Sequence, residues 1–153
     1  MLDDQTASNA CFVCRKHRGE IIVPGGAIYE DALLYAVHIA GANDADQTAY
    51  VGWLIVEPKR HAPGLGDLTA EEAAALGVLV SRLARALCAV AGAEHVYSFV
   101  LGDHVPHLHV HLAPRYPGTP RAYWGTRVDE WPQAPRGGPA EMAAVCAQLR
   151  HAL

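Results

Sequence analysis

Residues 107–112, HLHVHL, alternate imidazole and aliphatic side chains without a break. Side chains along a β-strand point to opposite faces in turn, so residues two apart share a face. A strand here sets His107, His109 and His111 on one side and Leu108, Val110 and Leu112 on the other. The aliphatic side has to be covered, which calls for a sheet backed by a second layer. Pro106 limits pairing at the start, so the strand is entered from a loop. The imidazoles, near neutral at pH 7, can serve as nucleophile, proton donor or metal ligand. Three readings follow: a polar solvent face, a metal-binding ladder, or covalent catalysis by one imidazole that the others support. Thr, Lys or Glu would serve a solvent face as well, and the chain has only nine histidines.

The remaining elements are those of an α+β fold, an antiparallel sheet with one long helix and a short C-terminal helix. AIYEDALLYAVHIA, AYVGWLIVEPKRH and EHVYSFVLG are strand-like. DLTAEEAAALGVLVSRLARALCAVAG predicts a helix with Thr69 as N-cap and Glu72 closing a capping box. Leu76, Val80, Leu83 and Leu87 form its apolar stripe, and Gly92 stands where it should end. Residues 1–10 read as a disordered lead-in, residues 11–116 as the core, and residues 117–153 as a proline-rich tail and helix packed on the same domain. At 153 residues the chain is one domain by size. A formal net charge of -4 leaves no electrostatic footprint for nucleic acid or an anionic membrane. No apolar run looks long enough to span a bilayer, and MLDDQTASNA is not a secretory signal, so the expected location is cytoplasmic.

Cys88 and Cys146 lie in alanine-rich surroundings and read as buried small hydrophobes. Cys11 and Cys14 form CFVC, which in a reducing compartment suggests a metal site or a redox pair. CFVC lacks the strand-then-helix setting of a redox dithiol, which favours metal. In the tail, Trp124 and Trp131 either fold over a site or anchor the chain to the core.

PHLHVHLAPR resembles the signature of the histidine triad (HIT) superfamily, His-φ-His-φ-His-φ-φ with φ apolar. CFVCRKHRGE, AIYEDALLYAV, GWLIVEPKRH, LGDLTAEEAAAL and LGDHVPHLHVHLAPRY follow the family's order from Cys11 to Tyr116. The resemblance implies a nucleotide hydrolase in which His109 attacks an α-phosphate to form a nucleotidyl-histidine, while His111 donates to phosphate oxygen. Nucleotidyl transfer to phosphate or another metabolite is the alternative, and a non-catalytic nucleotide-binding scaffold is a third reading. The resemblance further implies a homodimer and, as in a subset of the family, a structural zinc held by Cys11, Cys14, His61 and His107.

Departures from the family pattern fall around the ligand. Gly102, Asp103 and His104 stand where many members have Gly-Gln-Ser/Thr, closer to the branch with Leu-Gly-Asn-x-Val-Pro before the triad. Asp103 and His104 are thus the candidates for contact with phosphate. His38 and Ile39 align with an Asp-Ile pair that binds ribose, and Trp53 stands where a histidine often precedes the strand. His38, Ile39 and Trp53 are the candidate nucleoside-binding residues.

Overall fold

The structure, a computed structural model, describes residues 8–43 and 45–153. Of the expected lead-in, residues 1–7 lie outside the described residues, and residues 8–10 are helical. A short helix α1 (Phe12–His17) follows and carries Cys14, with Cys11 at its N-cap. A five-stranded antiparallel sheet is built from β1 (Tyr29–Glu30), β2 (Leu34–His38), β4 (Leu54–Pro58), β5 (His95–Phe99) and β6 (Val110–Arg115), in the order β1-β2-β4-β6-β5. Two short strands, β3 (Ala49–Tyr50) and β7 (Arg136–Gly137), pair separately and tie the tail to the core.

Helix α2 (Ala70–Ala91) is capped as its sequence requires. The Thr69 hydroxyl accepts from the Glu72 amide at 3.1 Å, and the Glu72 carboxylate accepts from the Thr69 amide at 2.8 Å. Gly92 ends the helix in the left-handed conformation, φ 76°. The buried stripe is Leu76, Leu79, Leu83, Ala86 and Leu87, with Val80 at its margin. By length and apolar content this helix is long enough to cross a membrane, contrary to the sequence expectation, but its leucines fill the core of the domain. Cys88, expected inside, points to the surface because it lies off that stripe, whereas Cys146 on α3 (Pro139–Ala152) is fully buried.

The two faces of the sheet divide as alternation demands. Leu34, Ala36, Leu54, Val56, Val110 and Leu112 pack against α2 and α3 in the main core, and Leu108 joins them just before β6 begins. The opposite face carries His111 in register with Phe99 on β5 and Ile55 on β4, and Ile55 faces Val37 on β2. Glu57 and Tyr35 lie two residues further along this face, beneath α1. Beyond its other end, Val128 of the tail packs with Tyr50, Trp53 and Ala113. Between these two packed ends, His109 and His111 stay part-exposed.

Candidate functional site

The ladder begins later than the alternation does: strand pairing starts at Val110, and residues 107–109 are a bent approach. That bend separates the three histidines into different surroundings. His107 is fully buried against α1, while His109 and His111 are part-exposed neighbours with ring centroids 5.1 Å apart.

His107 has both nitrogens engaged. Nε2 donates to the Pro58 carbonyl at 2.8 Å, and Nδ1 faces the Cys11 and Cys14 Sγ atoms at 3.5 Å each. His61 Nδ1 stands 3.5 Å from Cys14 Sγ, and the four ligand atoms all lie within 4.8 Å of one another. A tetrahedral ion with Zn–S of about 2.3 Å and Zn–N of about 2.0 Å sets S and N about 3.5 Å apart. The donor set thus has the spacing as well as the chemistry of a Cys2His2 metal centre. The Pro58 carbonyl fixes the tautomer in which Nδ1 is the ligating atom. Burial holds His107 down to about 4 and raises the Cys14 thiol. The imidazole is therefore neutral, and a bound cation would displace the thiol proton.

A second buried group fastens this centre to the sheet. Glu57, only 1% exposed, accepts from Lys16 Nζ at 2.6 Å and from His17 Nε2 at 3.0 Å. The His17 ring also rests on Tyr35 and against the edge of His107, with centroids 4.9 and 5.5 Å apart. Sequence reasoning missed Glu57, Lys16 and His17. The available signal was a carboxylate inside the apolar run LIVEP, a residue that is hardly ever buried without a partner.

His109 donates from Nδ1 to the His107 carbonyl at 2.8 Å, which leaves Nε2 as the ring's lone-pair nitrogen. His111 carries the opposite tautomer. Its Nδ1 accepts from Trp53 Nε1–H at 3.1 Å, so its proton sits on Nε2. Phe99 stacks on the His111 ring at 5.0 Å and 9°, and Trp53 meets it edge-on. Burial, then the neighbouring His109, pushes His111 down to about 4. The face therefore presents one imidazole lone pair and, beside it, one neutral N–H donor.

The other candidates are dispersed. Asp103 and His104 are exposed in the loop that leads to the ladder. Ile39 is part-buried and packs with the Trp53 cluster, and its amide donates to the Trp53 carbonyl at 3.0 Å. His38 is 1% exposed: Nδ1 donates to the Ile39 carbonyl at 2.7 Å, and Nε2 accepts from the Gly52 amide at 2.8 Å. Both nitrogens serve the backbone, so His38 offers no free polar atom to a ribose. In the tail, Trp124 donates to the Thr119 carbonyl and is covered by Arg115, whose guanidinium lies 3.9 Å from the ring centroid. Trp131 lines an apolar cavity of about 600 Å³ with Val51, Tyr116 and Val145, away from the histidines.

An antiparallel sheet that displays an oriented imidazole lone pair next to a Cys2His2 cluster defines a protein of histidine triad type. Residues 23–118 match the HIT domain family, and the chain belongs to it. No curated protein matches. Solved structures do. A HIT-like protein described as involved in cell-cycle regulation, from Bartonella henselae, is 21% identical over 95% of this chain and 97% of that one, with a TM-score of 0.69. A zinc-bound histidine triad family protein from Mycobacterium smegmatis is 24% identical over 95% and 99%, TM-score 0.65. A histidine triad protein from Bradyrhizobium japonicum is 26% identical over 89% and 92%, TM-score 0.63.

Proposed function

We propose that the protein is a nucleotide hydrolase that cleaves nucleoside 5′-phosphate derivatives at the α-phosphate through a nucleotidyl-histidine intermediate. One observation carries this reading: His109 Nδ1 is held by the His107 carbonyl, and Nε2 is left with its lone pair on the open face. Nε2 attacks the α-phosphorus, an N–P bond forms, and the bond to the leaving group breaks with its electron pair going to that group. Water then attacks the phosphorus and gives up a proton to solvent, the N–P bond breaks, and the pair returns to Nε2. His111 Nε2–H donates to a non-bridging phosphate oxygen and stabilises the charge that grows there. Substrate classes that fit are dinucleoside polyphosphates, phosphoramidates and other AMP derivatives. Asp103 and His104, exposed in the loop before the ladder, are the candidates to contact the phosphate, and Ile39 and Trp53, packed together, are candidates to contact the base.

Cys11, Cys14, His61 and His107 would hold a structural zinc, which when bound locks α1 to the residues that lead into the ladder. The zinc-bound Mycobacterium smegmatis structure supports this assignment. A homodimer is part of the proposal: β5 is a sheet edge, and Ser98 and Val100 lie beside Gly77 and Val80 of α2 on an apolar surface suited to a second copy. The test of the activity is a turnover panel of diadenosine polyphosphates and adenosine phosphoramidate, with nucleotide binding measured in parallel. Release of AMP by the wild type, and its loss in His109→Ala with binding retained, supports the hydrolase. No turnover of any compound, with equal binding by both proteins, points to the scaffold.

A further inference from the structure

Trp53 stands where the family often places a histidine, and it is not free to lie flat against a base. Its ring is 9% exposed, buried among Tyr50, Ala113 and Val128. Its one polar atom is directed at His111 Nδ1, 3.1 Å away. We propose that Trp53 is a positioning residue that holds His111 as a neutral Nε2–H donor, and that the enzyme is thereby selective for nucleotide derivatives whose leaving group departs as a stable oxyanion. This rests on the hydrolase reading above and narrows its substrate class.

An indole N–H only donates, so it can face Nδ1 only while that nitrogen carries its lone pair. Protonating His111 would set two N–H groups against each other and give up this hydrogen bond. Phe99 lies flat against one face of the ring at 5.0 Å. Few other charges face His111: His109 from its own segment opposes protonation, and Glu57 on β4 favours it but is already paired with Lys16 and His17. Burial and His109 prevail, and His111 is pushed down to about 4.

A neutral imidazole can donate a hydrogen bond but does not surrender its N–H proton near pH 7, so His111 stabilises phosphate oxygens without acting as an acid. Phosphate, polyphosphate and carboxylate leave phosphorus as anions and need no proton at the moment of bond breaking. An amine leaves from a P–N bond only after nitrogen gains a proton, which His111 in this state cannot supply. The expected discrimination is the usual worth of a general acid, about 10²- to 10⁴-fold.

Two measurements on the full-length protein test this. Long-range ¹H–¹⁵N correlation spectra of the imidazoles should show His111 protonated at Nε2 alone and still neutral at about pH 5. In parallel, kcat/KM at pH 7 for diadenosine tetraphosphate should exceed that for adenosine 5′-phosphoramidate by about 100-fold or more. Trp53→Phe keeps a ring in the cluster and removes the N–H. In it, His111 should titrate about one pH unit higher, and the phosphoramidate should gain at least about tenfold relative to the polyphosphate at pH 6. A wild-type His111 that titrates near its ordinary value or carries its proton on Nδ1 overturns the proposal, and so does equal cleavage of the two substrates. Failure to cleave either compound overturns the hydrolase reading and the selectivity built on it. The tautomer assignment then stands or falls on the spectra.

Discussion

His109 is hydrogen-bonded through Nδ1 to the main-chain carbonyl of His107, 2.8 Å away. The residue whose side chain faces Cys11 and Cys14 therefore also orients the imidazole on the open face, by its backbone. A change in this Cys2His2 cluster would thus reach His109 through the His107 backbone, with no change in any group that would touch substrate.

The metal prediction follows from this link. The wild type should carry about one zinc per chain, and Cys11→Ser with Cys14→Ser should carry none. Because the centre also positions His109, the same variant should lose about 10- to 100-fold in kcat. Metal content by elemental analysis, with kcat and KM measured separately, checks both. Full zinc occupancy in the double variant contradicts the site.

Glu57 should be more sensitive to single than to paired substitution. Glu57→Gln removes the carboxylate that Lys16 pairs with at 2.6 Å, in a site where Glu57 is 1% and Lys16 6% exposed. An unpaired buried charge of this kind costs about 3–5 kcal/mol. Replacing both residues by apolar ones of similar size, Glu57→Leu with Lys16→Met, should cost distinctly less, since no stranded charge remains. Urea unfolding of the two variants compares them directly.

Gly52 is required by its conformation. Its φ is 87°, and a Cβ would collide with the Tyr116 hydroxyl oxygen, which itself donates to the Val51 carbonyl at 2.8 Å. Gly52→Ala should destabilise by about 1–3 kcal/mol. It should also loosen His38, whose Nε2 accepts from this amide, and so disturb the turn that presents Trp53. Thermal unfolding and the His38 imidazole spectrum report the two effects.

Acid should weaken the fold in two stages. Burial holds His38 and His111 below their ordinary value, the latter at about 4. The unfolded chain therefore takes up these protons first, and stability falls as pH drops from about 6.5 towards 4. Glu72 behaves as a carboxylate with a depressed value. Hydrogen bonds from Arg60 at 2.9 and 2.7 Å hold it at about 2, so its contribution is full above the ordinary carboxylate range and is lost as pH falls towards 2. Denaturant unfolding between pH 7 and 2.5 should show both declines. Glu72→Gln should flatten the lower one, and His111→Asn should lessen the upper one.

Local pattern carried much of this site into view. The alternation placed His111 on the strand, and the capping residues Thr69, Glu72 and Gly92 placed α2, because both depend on near neighbours in sequence; the alternation did not show that residues 107–109 precede the strand. What was not legible depends on partners far away along the chain. Trp53 and His111 are 58 residues apart, and Glu57 and Lys16 are 41. Nothing local distinguishes a tryptophan that lines a pocket from one that donates to a buried imidazole. Cys88 shows the same limit: an alanine-rich helix does not say which of its faces is covered until the sheet beneath it is known.

On the proposed mechanism, His109 becomes covalently nucleotidylated during turnover. Mixing the protein with diadenosine tetraphosphate, quenching within the time expected for one turnover and mapping the modified peptide by mass tests it most directly. The expected result is a single adenylyl group on the peptide that contains His109, lost in a chase without substrate and missing from His109→Ala. Turnover with no adduct at any time, or an adduct on a different residue, contradicts it.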